Sequence, residues 1–213
     1  MTLEATKIRL VMDLRQQGIT DATVLSAIER VPRELFVPPS FHDQAYENTA
    51  LPIGHGQTIS QPSVVAFMTQ ALQLNGRIKI LEVGTGSGYQ AAVLARLSRR
   101  LYTVERNREL LREAEARFGQ LRLRNITARF VDGHVGWPEQ APFERIIVTA
   151  GAAEVPKTLI DQLAPGGIMM IPIGVVRSEQ FLVRCRRTED GYESERLWPV
   201  RFVPLVEGLI GEA

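Results

Sequence analysis

One glycine-rich turn does most to limit the folds open to this chain. An apolar run at 78–83 leads into Gly84-Thr-Gly-Ser-Gly88, and an amphipathic stretch follows from Tyr89. Such a turn between a strand and a helix lets the backbone approach a ligand closely, because no side chain stands between them. The pattern is typical of the first strand–helix unit of a nucleotide-binding α/β sheet.

The alternation of strand and helix continues after the glycine turn. Short apolar runs at 101–104, 126–131, 146–148 and 167–173 are separated by helical patterns, which lie at 89–97, 108–118 and 157–163. Near-continuous apolar strands that alternate with helices predict a parallel sheet covered on both faces.

The two ends of the chain have different patterns. Helical spacing of apolar residues, then a proline-rich irregular stretch and a polar loop at 54–62, predict a helical N-terminal extension over 1–75. Alternation at 181–187 and 193–202, around Asp190-Gly191, predicts an antiparallel strand pair. We therefore expect a single α/β domain, 1–213. The extension carries the loop, and residues 76–213 form a doubly wound, mostly parallel Rossmann-like sheet.

Composition excludes several classes of protein. A hydrophobic fraction of 45% and a charged fraction of 23% argue against a disordered or fibrous chain. The formal net charge of +1 supplies no field for a polyanion or an acidic membrane surface, so we expect neither nucleic acid nor membrane as a partner. The longest apolar stretch, 166–176, is interrupted by Pro172. With one cysteine and no signal-like pattern, a cytoplasmic location is expected. The sequence does not indicate the oligomeric state.

The spacing of the glycines separates two classes of cofactor. A dinucleotide-binding turn places its third glycine three residues after the second, and Tyr89 occupies that position here. The chain instead has Gly84, Gly86 and Gly88, and this G-x-G-x-G pattern resembles the S-adenosylmethionine loop of Rossmann-like methyltransferases. An NAD-dependent oxidoreductase is therefore disfavoured, and the identity of the retained cofactor would decide between the two.

Two acids follow at the ends of the next predicted strands. Glu105 lies 21 residues after Gly84, where a carboxylate can accept hydrogen bonds from both ribose hydroxyls. Asp132 ends the third strand and can meet the adenine amino group, although either acid alone could be a solvated strand end or a turn residue. We predict an S-adenosylmethionine site formed by Gly84, Thr85, Gly86, Ser87, Glu105, Asp132 and Gly133.

The residues also exclude several methyl acceptors. Thr149-Ala150-Gly151 follows the fourth strand, in place of the Asn/Asp-Pro-Pro-aromatic motif used on base amines. Carbon-5 cytosine methylation needs a cysteine nucleophile, whereas Cys185 falls in a late strand and is expected in the core. Acidic residues form no cluster and the three histidines are isolated, so no metal site is predicted.

The polar loop carries the most specific resemblance. Residues 54–62 read GHGQTISQP, and with LEVGTGSGYQ at 81–90 they closely resemble the protein-L-isoaspartate O-methyltransferase family. The resemblance continues in DGHVGWPEQAPFERIIVTAGA, LAPGGIMMIPIG and RFVPLV, and so covers nearly the whole chain. Two departures are small: Val131 stands where the family usually has glycine, and Arg145 where an acid is common.

The resemblance implies a repair enzyme. It would transfer methyl from S-adenosylmethionine to the α-carboxylate of an isoaspartyl residue in a damaged protein or peptide, and the ester would close to a succinimide that can hydrolyse to aspartate. Ser60 matches the active-site serine of the family and would donate its hydroxyl to one carboxylate oxygen. A carboxylate with a pKa of about 4 is already ionised at neutral pH, so no general base is required. The expected substrate-binding residues are His55, Thr58, Ile59 and Gln61.

Other interpretations remain open from the residues alone. A small-molecule or RNA O-methyltransferase would keep the cofactor but need a general base or a basic groove. A non-catalytic binding module would tolerate loss of Ser60 or the glycines, and both are intact. Ser60 could cap the next helix, although Pro62 at the first helical position would make Gln61 the cap. Val203 and Pro204 could wall a peptide groove or simply pack in the core.

Overall fold

The N-terminal extension is mainly helical and packs against the sheet domain. In the computed structural model, which describes residues 2–174 and 179–211, it begins with two capped helices. Thr2 accepts from the Ala5 amide at the start of the first helix, and Asp21 from the Thr23 amide at the start of the second. Short 3-10 helices follow at Arg33–Phe36 and Pro39–Gln44. The regular elements are α1 (Leu3–Gln16), α2 (Ala22–Arg30), β1 (Leu51–Gly54), β2 (Gln57–Ile59) and α3 (Pro62–Ala71).

A seven-stranded sheet forms the second part of the molecule. Its strands are β3 (Lys79–Val83), β4 (Arg100–Glu105), β5 (Ile126–Phe130), β6 (Phe143–Val148), β7 (Leu163–Gly174), β8 (Gln180–Arg187) and β9 (Tyr192–Val200). The strand order is β5-β4-β3-β6-β7-β8-β9, and every pair from β5 to β7 is parallel. The pairs β7–β8 and β8–β9 are antiparallel. The predicted mostly parallel sheet with antiparallel strands at its end is confirmed.

Apolar side chains fill both faces of this sheet. Ile80 and Leu81 are neighbours on β3, both fully buried, and they belong to clusters on opposite faces. Three helices lie between the strands: α4 (Tyr89–Ala95), α5 (Arg108–Gln120) and α6 (Lys157–Ile160). Cys185 of β8 is fully buried in one of the clusters, as predicted, and burial raises the pKa of its thiol to about 12.

The topology determines where a ligand can bind. β3 lies between β4 and β6, so the strand order reverses at β3. In such sheets, a crevice opens outside the carboxyl ends of the strands at the point of reversal. The glycine turn follows β3 at this point.

Several predicted elements differ from the structure. Residues 51–59 form the hairpin β1–β2 rather than an irregular stretch, with His55 and Gly56 at positive φ in its two-residue turn. The predicted helix at 157–163 ends at Ile160, because Leu163 already pairs with Phe143 in the sheet. β9 ends at Val200 rather than 202.

Some sequence predictions stay untested by the fold. The last two residues of the apolar stretch 166–176 lie outside the described residues. The division of a single domain at residue 76 also stays a prediction. Within 2–174 and 179–211, no helix combines the length and apolarity that crossing a membrane requires.

Candidate active site

A cavity of about 360 Å³ lies at the carboxyl ends of β3, β4 and β6. Its volume falls in the range of small-molecule sites in proteins. Most of its wall comes from four parts of the chain that are distant in sequence: the hairpin loop (55–60), the glycine turn (83–87), the end of β4 (104–107) and the tail (202–211), of which 202–206 and Ile210 line the cavity. The rest of the lining comes from α3, the start of α4 and the segments that follow β5 and β6: Val64, Val65, Met68, Tyr89, Gln90, Gly133, Thr149 and Ala150.

The glycine turn presents its backbone to the cavity. Gly84 has a φ of +96°, and a Cβ placed there would lie 2.4 Å from Thr149 Oγ1. The Gly84 amide donates to the Val104 carbonyl at 2.9 Å, and the Gly88 amide to the Thr85 carbonyl at 2.8 Å. The first bond holds the turn against β4, and the second closes the turn on itself. At Gly84, where the turn passes closest to Thr149, there is no side chain.

Glu105 supports the turn and also faces the cavity. Its Oε2 accepts from the Gly86 amide at 2.8 Å, and its Oε1 accepts from the Asn107 amide at 2.9 Å. Each carboxylate oxygen has two lone pairs, so each can accept one further hydrogen bond. A ligand diol, such as that of a ribose, matches this pair of acceptors.

A buried polar chain lies beneath the turn. The fully buried Glu82 accepts from the Thr103 hydroxyl at 2.6 Å, and the hydroxyls of Thr103 and Thr85 are 2.7 Å apart. Burial raises the pKa of the Glu82 carboxyl to about 8; the bond from Thr103 opposes this shift and the Glu105 carboxylate adds to it. At pH 7 the protonated, neutral form of the group therefore predominates.

This carboxyl predicts a pH-dependent stability. Because the pKa of Glu82 is higher in the folded than in the unfolded chain, the folded state binds more protons between about pH 4.5 and 8. The stability that Glu82 contributes is lost as pH rises through this window, by up to about 1.4 kcal/mol per pH unit. Denaturant titration from pH 5 to 8.5 measures this loss. The unfolding free energy of the wild type minus that of Glu82→Gln should fall as the pH rises. Parallel curves for the two proteins would contradict it.

Asp132 binds the tail rather than lining the cavity. Its carboxylate accepts from the Gly208 amide at 2.6 Å, from the His134 amide at 2.9 Å, and lies 3.1 Å from His134 Nδ1. Partial burial would raise the pKa of Asp132, but these donors outweigh it and hold the pKa below its usual value. The neighbouring Gly133 does line the cavity. The adenine contact of Asp132 stays a prediction.

Further bonds fix the tail across the sheet edge. The Arg106 guanidinium donates to the Gly208 carbonyl at 2.7 Å and the Glu207 carbonyl at 3.1 Å. The Ile210 amide donates to the Arg106 carbonyl at 2.8 Å, and the Leu205 amide to the Gly151 carbonyl at 2.7 Å. The tail thus forms one side of the cavity.

Ser60 lies where two cavities meet. It follows β2 and is half-buried, and it does not cap α3, whose N-cap is Gln61. A second cavity, of about 810 Å³, adjoins the first. Six residues line both cavities: Thr58, Ser60, Val64, Thr149, Phe202 and Val203. A group that enters through the second cavity therefore meets Ser60 at the opening to the first.

Most of the predicted site residues come together in the first cavity. It is lined by His55, Thr58, Ile59, Ser60, Gly84, Thr85, Gly86, Ser87, Glu105 and Gly133. Gln61 lines only the second of the two cavities, and Asp132 lines neither of them. Val203 lines both, whereas Pro204 lines the first. The roles of all these predicted site residues in binding and catalysis stay predictions.

The sequence analysis missed several lining residues. Asn107 could have been predicted from the sequence, because it lies two residues after Glu105 and asparagine is a common N-cap, the role it has in α5. Val64, Thr149, Leu205 and Ile210 carried none, since their place in the wall depends on contacts between distant segments. Within the described part of the chain, no three His, Cys, Asp or Glu side chains are grouped as metal ligands would be.

Known proteins are similar to this chain in sequence and in fold. The family model described as protein-L-isoaspartate(D-aspartate) O-methyltransferase matches residues 5–209. The protein-L-isoaspartate O-methyltransferase of Rhodospirillum centenum is 65% identical to this chain over 214 residues, which cover 100% of this chain and 97% of the relative. The solved structure of a protein-L-isoaspartate O-methyltransferase has a TM-score of 0.87 at 29% identity, covering 95% of this chain and 67% of its own.

A second solved structure was determined with a ligand. It is a Plasmodium falciparum protein described as a protein-L-isoaspartate O-methyltransferase in complex with S-adenosyl-L-homocysteine. Its TM-score is 0.81 at 26% identity, and the match covers 93% of this chain and 97% of that one. On the family match and the identity of its relatives, the chain belongs to the protein-L-isoaspartate(D-aspartate) O-methyltransferase family.

Proposed function

We propose that this protein transfers the methyl group of S-adenosylmethionine to the α-carboxylate of L-isoaspartyl residues in proteins and peptides. The observation that carries the proposal is the position of Ser60, at the junction of two adjoining cavities. Membership of the family supports this reaction, and the two adjoining cavities could each bind one of the two reactants.

The first cavity suits the methyl donor. Glu105 retains acceptor capacity for the ribose hydroxyls, and the backbone of the glycine turn can lie against the amino-acid end. Gly86 has a φ of +52°, a conformation that L side chains rarely adopt, so glycine suits this part of the turn. When bound, the cofactor supplies a methyl group on a sulfonium, which is electrophilic without further activation.

The second cavity suits the acceptor. Its lining includes Gln61, Gln180 and Arg201, which offer hydrogen-bond donors to a peptide backbone or to a carboxylate. Ser60 can donate its hydroxyl to one oxygen of a carboxylate at the junction and leave the other oxygen facing the first cavity. Because that carboxylate is ionised at neutral pH, no residue of the chain has to remove a proton.

Catalysis on this proposal comes from alignment. Val64 and Phe202 line the junction and exclude water from it, while the hairpin loop and the glycine turn hold the two reactants in fixed relation. Orientation of this kind can supply several kcal/mol of the barrier. After transfer, the amide nitrogen of the following residue displaces methanol from the ester and forms a succinimide, which hydrolyses in part to normal aspartate.

The proposed partners are proteins and peptides that carry isoaspartyl residues, and the proposed location is the cytoplasm. Nucleic acid and membranes are not proposed as partners, since a net charge of +1 gives no attraction to polyanionic surfaces.

Transfer of labelled methyl tests the function directly. A synthetic isoaspartyl peptide should be labelled, and the same peptide with a normal aspartyl linkage should not, because its carboxylate lies one carbon away from the aligned position. Cofactor binding is measured in parallel by calorimetry with S-adenosylhomocysteine. Binding without labelling of either peptide would reject the proposal and favour a small-molecule O-methyltransferase.

A further inference from the structure

Arg33 is a buried cation with no acidic partner among the described residues. Its side chain is 0% exposed, in the 3-10 helix that follows α2. The neighbouring Glu34 accepts from the Tyr46 hydroxyl instead. Burying a charge away from an opposite charge costs several kcal/mol, and a guanidinium cannot avoid this by losing its proton. If the side chain only had to fill space in the core, an apolar residue would do so without this cost.

The guanidinium connects two walls of the active site. Its Nη2 donates to the Ser60 carbonyl at 2.7 Å, and its Nε donates to the Ala45 carbonyl at 2.8 Å. Its central carbon lies 4.6 Å from the centre of the Tyr89 ring. Tyr89 is the first residue of α4, directly after the glycine turn, whereas Ser60 belongs to the hairpin loop.

The shape of the guanidinium suits this task. It is planar and rigid, it offers several donors in one plane, and its faces stack on aromatic rings. One group can therefore bind a carbonyl of the hairpin loop at its edge and the ring of α4 at its face. An ammonium offers a single point of charge and no such plane.

We propose that Arg33 is a positioning residue for methyl transfer, which holds the main chain of Ser60 at a fixed distance from the start of α4. Arg33 is not among the residues that line either cavity, so it acts through Ser60 rather than on a reactant. The proposal rests on the proposed function of Ser60. A displacement of the serine by about 1 Å can lower the rate about 100-fold.

Arg33→Lys tests this, with Arg145→Lys as the matched control. Arg145 also binds main-chain carbonyls, those of Leu72 and Gln73, but far from Ser60. For the isoaspartyl peptide, kcat should fall roughly 10- to 100-fold in Arg33→Lys, and the affinity for S-adenosylhomocysteine should change less than about threefold. The control should lose less than about threefold in kcat.

A double-mutant cycle with Ser60→Ala separates positioning from general support of the fold. If Arg33 acts through Ser60, then Arg33→Lys should cost less than about threefold in kcat when Ser60 is already alanine. An equal loss in both backgrounds overturns the proposal. A wild-type rate for Ser60→Ala alone also overturns it, while specific labelling of the isoaspartyl peptide would leave the proposed reaction standing.

Arg33→Gln provides a second variant should the lysine protein fail to fold. Glutamine removes the buried charge and keeps a single NH2 group, which can donate to a carbonyl. The same cycle applies, with the same expected coupling to Ser60. Failure of both variants to fold would show that Arg33 acts on the whole fold and would overturn the proposal.

Discussion

Replacing Ser60 with alanine is expected to lower kcat for an isoaspartyl peptide by about 100-fold, with cofactor affinity changed less than about threefold. The serine lies at the junction of the two cavities, so its hydroxyl is placed to orient the carboxylate rather than to hold the cofactor. Initial rates of labelled methyl transfer, with calorimetric binding of S-adenosylhomocysteine, measure both quantities.

Ser63→Ala is the control for this variant. Ser63 lies one turn further along, in α3, and lines neither cavity, so removing its hydroxyl should change kcat less than about threefold. Equal losses in the two variants would attribute the effect to the stability of this segment and would remove Ser60 from the catalytic site.

Gly84→Ala is expected to reduce both stability and cofactor binding. At a φ of +96° an L side chain is strained, at a cost of roughly 1–3 kcal/mol. The new Cβ would also lie 2.4 Å from Thr149 Oγ1, which is held by hydrogen bonds to the carbonyls of Val83 and Gly84. Overpacking of this kind adds about 1–3 kcal/mol. We expect an unfolding free energy lower by about 2–4 kcal/mol and an affinity for S-adenosylhomocysteine reduced at least tenfold.

Gly119→Ala controls for the change from glycine to alanine. Gly119 lies in α5, and an added Cβ there would have no neighbouring atom within 4 Å, so alanine should stabilise the protein by roughly 0.5–1 kcal/mol. Denaturant titration and calorimetry on both variants distinguish the two sites. Similar results for the two glycines would mean that the turn adapts to a side chain.

The parts of the fold that sequence predicted are those that local patterns determine. The strand before Gly84, the glycine turn and Glu105 follow one another at spacings set by a single strand–helix–strand unit. The apolar runs of the parallel strands are buried on both faces, and this leaves a continuous pattern in the sequence. The general place of the first cavity, at the carboxyl ends of these strands, follows from these features.

The parts that sequence missed depend on pairings between distant segments. Strands β1 and β2 are too short for alternation to identify, and Pro52 interrupts the first. Asp132 was placed correctly at a strand end, but its partner Gly208 lies 76 residues away, and no local pattern joins them. The hydrogen bond from Arg33 to Ser60 spans 27 residues, and the sequence pattern did not predict it either.

The cavity is built from segments that are far apart in the chain and meet only in the folded protein. Its hairpin wall ends at Ser60, and its tail wall runs through Phe202 and on to Ile210. The tail wall is not held by contacts within its own segment alone: the Leu205 amide binds the Gly151 carbonyl, and the Ile210 amide binds the Arg106 carbonyl. A partly folded copy therefore has no complete cofactor site. An enzyme that acts on damaged proteins thus becomes active only once its own chain has folded.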